Sequence, residues 1–190
     1  MTTIALDVPV TLKLVDLAKG EQRTPEYRRL NPNGKVPTLV DGDLVLWESH
    51  AIMTYLADKT PDNSLYPQQL EKRADVNRWL YWSSGHFIPP IGVLNFENML
   101  KPRFGMGEPD AARVKQAEDD LKLYAGILDE HLKTRPWVSN SELSLADISL
   151  ACPLMSTVPA KLPVQQFEHL QSWLTRVQAL DAWQRTNPPN

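Results

Sequence analysis

Two short groups in this 190-residue chain combine residue types and spacing that could do chemistry: Lys35-Val36-Pro37 and Glu48-Ser49. A carboxylate beside a hydroxyl at a helix start can hold both ends of an amino acid. The uncommitted helix N–H groups take the ligand carboxylate, and Glu48 takes the ammonium. Val36-Pro37 is a proline at the mouth of a strand, where its missing N–H is tolerated. A cis bond there turns the chain and leaves the Val36 backbone free to pair with something else. Each group also has a plainer reading. Ser49 is a good N-cap, Glu48 an exposed acid in the first turn, and Lys35 a solvated loop lysine. Spacing alone leaves both readings open, and the plainer one is the commoner.

The surrounding residues predict the elements that hold these groups. Asn31-Pro32-Asn33-Gly34 is a cluster of turn formers. Val36 to Val40 reads as a strand, Asp41-Gly42-Asp43 as a hairpin turn, and Leu44 to Trp47 as the returning strand. Ser49 then opens a helix in which Ile52, Met53, Tyr55 and Leu56 recur at helical spacing.

In that order and spacing, N-P-x-G-K-V-P-x-L, the D-G hairpin and L-W-E-S-x-A-I-x-x-Y-L resemble the glutathione-binding half of a bacterial, theta-like glutathione transferase. The resemblance implies an α+β two-domain fold. A thioredoxin-like N-terminal domain, here incomplete, precedes an all-α C-terminal domain. It implies that Pro37 is a cis-proline and that Val36 pairs its backbone with the cysteinyl part of glutathione. Glu48 and Ser49 hold the γ-glutamyl end, and Lys35 reaches for the glycine carboxylate. It further implies a homodimer that takes glutathione as co-substrate, with no metal, and a small hydrophobic electrophile.

The earliest residues fit that pattern least. Ile4 to Val8 reads as the last turn of a helix stopped by Pro9, and Val10 to Asp16 alternates as a half-buried strand does. Thr24-Pro25-Glu26-Tyr27 reads as an N-cap with proline at the first helical position, opening a short helix to Leu30. Against the family pattern, roughly two dozen residues of first strand and helix are expected to be missing. The thiol-activating serine, tyrosine or cysteine lies among them, so the catalytic residue is unassigned. Without that first strand, Val10–Asp16 has no neighbour and is expected to be displaced, poorly ordered or paired with another chain.

Residues 1–60 are thus assigned to the glutathione-binding domain, 61–67 to a turn-rich linker and 68–190 to the helical domain. Val76, Trp79, Leu80, Ser83, Phe87 and Ile91 share one helix face, which Pro89-Pro90 must kink or break. Arg103 to Gly107 reads as a loop. Val114, Ala117, Leu121, Tyr124, Leu128 and Leu132 predict a long amphipathic helix. Trp173, Leu174, Val177 and Leu180 predict a last one, with a fraying tail from Thr186 to Asn190. Trp82, His86 and Pro89 lie where the family places its electrophile pocket. Core or interface packing for Trp82, and a packed or capping role for His86, are the plainer readings. Ser144-Leu145-Ala146-Asp147 is a capping box. Cys152 just beyond it reads as a small buried apolar residue with no base to activate it.

Composition narrows the function classes. A net charge of −3 gives no reason to expect nucleic acid or an anionic membrane as partner. A single cysteine excludes an internal disulfide and dithiol chemistry. No secretory signal and no apolar run of spanning length is evident, so a cytoplasmic location is expected. Metal-ligand spacing, a phosphate loop and a Ser-His-Asp signature are also not found. Two functions remain: a glutathione transferase that conjugates glutathione to a small electrophile, or a non-catalytic glutathione-binding or interaction module of the same fold. The upstream DNA would separate them.

Overall fold

A hairpin and the helix that follows it frame the first sixty residues. The computed structural model describes residues 1–139 and 141–186. Strand β1 (Thr38–Asp41) pairs antiparallel with β2 (Leu44–Trp47), in the register Thr38↔Trp47 to Asp41↔Leu44. The connection is Gly42-Asp43, with Gly42 at φ 60°, a conformation a tight hairpin needs and glycine reaches without a Cβ clash. Helix α3 (Ser49–Lys59) follows. The Tyr55 hydroxyl donates to Asp41 Oδ2 at 2.8 Å, and Lys59 Nζ pairs with the same oxygen, so the far end of α3 is tied to the turn end of β1.

Val10–Asp16 does not form the strand its alternation predicts. The segment has no regular structure, and Leu12 and Leu14 are 89% and 91% exposed. Alternation specifies a strand only where another strand supplies its hydrogen bonds. Among the described residues, the only strands are β1 and β2, and they pair with each other. Helix α1 (Thr2–Ala5) precedes this segment. Helix α2 (Pro25–Leu30) follows it, its first turn capped by Thr24 Oγ1, which accepts from Tyr27 N.

The chain divides into two compact units. Thr2–Asn63 forms the first, and the second starts at Ser64, Met1 grouping with it. In the second unit, α4 (Leu70–Trp82), α5 (Ile88–Asn95) and α6 (Lys101–Arg103) run in succession. Two π-helical segments, Ser83–Phe87 and Phe96–Leu100, join them. Pro89-Pro90 is therefore accommodated without a break. A π turn lies just before the prolines, with Ile88 N bonding the Ser83 carbonyl, and the prolines fall in the first turn of α5, where a missing N–H is tolerated. Val76, Trp79, Leu80, Ser83, Phe87 and Ile91 are all buried, so the inward face survives the change of helix type.

Helix α7 (Ala111–Leu132) begins at Asp110, whose carboxylate accepts from Ala112 N and Arg113 N. Its buried stripe runs through Ala117, Leu121, Ala125, Leu128 and Leu132. Helices α8 (Leu145–Ala151), α9 (Glu168–Gln178) and α10 (Asp181–Thr186) complete the unit. Of the tail expected to fray, Thr186 closes α10 and 187–190 lie outside the described residues. Cys152 sits at the end of α8 and is half-buried rather than buried. Burial pushes its thiol pKa up, which leaves it a poor nucleophile.

A buried acid absent from the sequence reading joins the π segment to α7. Glu97 is fully buried. Its Oε2 accepts from Asp110 N at 2.9 Å and Lys101 Nζ at 3.0 Å, and Arg113 Nη1 stands 3.1 Å from Oε1. The Asp110 N–H, then Lys101, hold its carboxyl below the usual glutamate range. A depressed folded-state pKa contributes stability above the unfolded value, and that contribution is lost as pH falls through the folded one. Urea midpoints measured across the acid range should therefore fall more steeply for the wild type than for Glu97→Gln. Equal slopes would remove Glu97 from acid sensitivity.

Candidate functional site

The register of the hairpin gathers the residues singled out in the sequence. Thr38↔Trp47 is the outermost pair, so Pro37 and Glu48 are the next residues outward on the two strands. Val36 and Lys35 lie beyond Pro37, and Ser49 beyond Glu48. All five are exposed, Val36 by 45%, at the open end of the hairpin. The Val36-Pro37 peptide is cis.

The helix start departs from the sequence reading in one respect. Ser49 is the first residue of α3 and not its cap. The cap position is Glu48, which makes no side-chain cap bond. Glu48 has φ 73° and ψ 115°. A non-glycine residue held there carries a backbone cost of about 1–3 kcal/mol, and such residues concentrate at ligand sites. The conformation leaves the Glu48 carboxylate exposed beside the N-terminus of α3, where it makes no side-chain cap bond, and a helix N-terminus favours an anion. Glu48 also attracts the half-buried His50 electrostatically, but burial dominates and lowers the His50 pKa.

Three residues that sequence reading left in the background fix the strand mouth. Asn31, in a segment read as a turn, is only 2% exposed. Its Nδ2 donates to the Lys35 carbonyl at 2.7 Å and to Thr38 Oγ1 at 3.3 Å. Its Oδ1 accepts from Asn33 N at 3.1 Å. Tyr27, on α2, donates its hydroxyl to the same Lys35 carbonyl at 2.8 Å and lies 2.9 Å from Thr38 Oγ1. These bonds straddle Val36-Pro37, anchoring the residue before it and the residue after it. Gly34, at φ 60°, completes the clamp: a Cβ there would stand 3.0 Å from the Gln22 carbonyl oxygen. Asn31→Ala would leave the Lys35 carbonyl short of a partner in a part-buried place. It should cost the N-terminal unit about 1–3 kcal/mol, read as a drop in urea midpoint with unchanged slope. An unchanged midpoint would show that Tyr27 alone holds the turn.

Comparison with known proteins decides what family this arrangement belongs to. Residues 2–58 match the glutathione S-transferase N-terminal domain, and residues 87–181 match the glutathione S-transferase C-terminal domain. The chain belongs to the glutathione S-transferase family. It is 35% identical over 179 residues to human glutathione S-transferase theta-2B, covering 90% of this chain and 71% of that one. It is 32% identical over 176 residues to glutathione S-transferase D7 of Drosophila melanogaster, covering 92% and 75%. Among solved structures, a delta-class glutathione transferase of Nilaparvata lugens superposes with a TM-score of 0.84 at 33% identity, covering 98% of this chain and 84% of that one. Glutathione transferase F7 of Populus trichocarpa superposes at 0.89 with 25% identity, covering 97% and 88%. The fold is accordingly that of the family: a thioredoxin-like N-terminal domain with a small sheet, and a helical C-terminal domain.

The helical domain carries the other residues suggested for the family's chemistry. A cavity of about 380 Å³ is lined by His86, Pro89, Pro90, Val93, Arg113 and Tyr124, among others. His86 is exposed at this cavity. Trp82 does not line it; it packs edge-on to Tyr124 at 6.0 Å and to Trp79 at 5.2 Å. Among the described residues, no cluster of His, Cys, Asp and Glu is arranged to hold a metal ion, and no helix is long and apolar enough to cross a membrane.

Proposed function

We propose that this protein binds glutathione at the open end of the β1–β2 hairpin and transfers it to a small hydrophobic electrophile. The observation that carries the reading is the placement of Glu48, at positive φ, at the start of α3 and level with Pro37 across the mouth of the hairpin. The helix N-terminus and Ser49 take the γ-glutamyl carboxylate, and Glu48 takes its ammonium. The Val36 backbone pairs with the cysteinyl residue, and Lys35 reaches the glycine carboxylate. In the helical domain, His86 lines the electrophile pocket and Trp82 supports its wall. The family membership also supports a cytoplasmic, theta-like homodimer, which size-exclusion chromatography with light scattering tests.

One observation favours the second reading, a glutathione-binding module with little or no catalysis. A free thiol has a pKa near 8.5, so only a few per cent is thiolate at neutral pH. A donor that lowers it by about two units supplies roughly 2.7 kcal/mol. The hydroxyls around the cis-proline turn do not have a proton to give. Tyr27 gives its one proton to the Lys35 carbonyl, so the contact between Tyr27 and Thr38 uses the Thr38 proton. Ser49 is committed to the γ-glutamyl end. On this second reading the chain retains glutathione but conjugates an aryl halide about twenty- to thirtyfold more slowly than an enzyme with an activated thiolate. Turnover and the ultraviolet absorbance of bound thiolate against pH measure this. A thiolate pKa near that of free thiol supports the binding module. A pKa lowered by about two units with full turnover restores the enzyme and requires another donor.

A further inference from the structure

The helical unit has a second concavity, of about 360 Å³, built by the turn after α7 and one side of α9. Its wall carries Lys133, Arg135, His169 and Arg176, and no aspartate or glutamate lines it. That is a local excess of positive charge in a chain whose acids outnumber its bases, 23 to 20. Among the described residues, no carboxylate forms a salt bridge with either guanidinium group. Arg176 Nη1 donates to the Pro136 carbonyl at 2.7 Å, with the group lying 5.7 Å from the Trp137 ring centre. Arg135 Nη1 reaches the His131 carbonyl at 3.4 Å. A carbonyl takes one donor and leaves the charge, and most of the five N–H groups of each guanidinium stay unspent. Lys133 pairs with Glu130 at 3.3 Å, but both side chains are largely exposed and such a pair is weak. Trp173 borders the concavity but is buried. Its Nε1 is turned away to Asp147 Oδ1 at 2.8 Å, so the ring offers no donor to a ligand here.

We propose that this concavity is an anion site for a small organic phosphate monoester. Two arginines line one wall, and guanidinium forks suit a phosphate dianion, whose charge and oxygens they use more fully than a carboxylate's. The volume is at the low end for ligand pockets, enough for a phosphate and a compact organic group against the exposed Thr134 and Pro136. The site lies wholly within the helical unit and shares no residue with the proposed glutathione site or the cavity at His86.

Phenyl phosphate is the probe for a free ester, and vesicles containing phosphatidate are the probe for the same group on a lipid. Binding is followed by amide shifts of Thr134, Ser172 and the Trp173 indole in the wild-type chain. Saturable shifts confined to these residues are expected, with Kd on the order of 0.1–1 mM. Arg135→Gln and Arg176→Gln should each weaken binding about tenfold or more. Should Arg176→Gln fail to fold, Lys133→Gln with Arg135→Gln, both at exposed positions, serves instead. Loss of vesicle binding in the same variants assigns a lipid source; phenyl phosphate binding without vesicle binding assigns a soluble one. Shifts scattered over the surface, or affinity unchanged in the arginine variants, would overturn the site.

Discussion

Asp147→Ala is expected to destabilise the helical unit by at least about 3 kcal/mol, the largest stability effect of any single substitution considered. The carboxylate is fully buried and every bond it makes is received. Oδ1 accepts from Val138 N at 2.9 Å and Trp173 Nε1 at 2.8 Å; Oδ2 accepts from Ser144 N at 2.9 Å and Ser144 Oγ at 3.0 Å. One side chain thus closes the capping box of α8, holds the turn at Val138 and fixes Trp173 on α9. Burial pushes its pKa up, and the four donors oppose that shift. Alanine would strand these donors in an apolar interior, and each stranded group costs about 1–3 kcal/mol. Asp147→Asn should cost less, because one oxygen remains, but its amide would still point a donor at a donor. Thermal unfolding followed by near-ultraviolet circular dichroism measures both. Wild-type stability of the alanine variant would mean that water replaces the carboxylate.

Loss of glutathione affinity by about two orders of magnitude is expected when Glu48→Gln and Ser49→Ala are combined. In the proposed binding mode each group bonds a charged end of the γ-glutamyl moiety, worth about 1.5–3 kcal/mol, and 1.4 kcal/mol is a factor of ten. Both side chains are exposed, so neither substitution should unfold the domain. Calorimetry with glutathione on the single and double variants reads the effect. The two terms should not add fully, since they hold one ligand group from adjacent positions. Affinity within a factor of three of wild type in the double variant would mean that the γ-glutamyl end lies elsewhere.

Sequence reading reached the hairpin because Asp41-Gly42-Asp43 between apolar runs is a local signal with a local cause, a turn that needs a left-handed glycine. It reached the α8 start for the same reason, since a capping box is complete within four residues. It failed where the cause is not local. Alternation at Val10–Asp16 describes a strand that still needs a partner. Ser83, Phe87 and Ile91 keep i, i+4 spacing through a π segment, so the change of helix type left no mark on the pattern. Glu97 looked like any surface acid, because its partners Asp110 and Arg113 come from beyond the next loop.

Site legibility divides along the same line. The residues that face outward at the hairpin mouth stand in one short motif, and the family resemblance assigned them roles. The residues that hold the mouth in shape did not stand out. Asn31 and Gly34 sit in a run of turn formers, and Tyr27 lies in another element. Glutamate is not a residue type that favours positive φ, so the Glu48 conformation had no sequence signal at all. The exchange of cap for first helical residue at Glu48-Ser49 follows from it.

The account rests on glutathione lying along the mouth of the hairpin, and an amide-resolved titration with reduced glutathione tests that directly. The expected result is a set of shifts at Val36, Glu48 and Ser49 that saturate together with one Kd, with Thr38 and Asn31 following more weakly through the clamp. Saturable shifts confined to the helical unit, or none at Val36 and Ser49 at saturating glutathione, would contradict it.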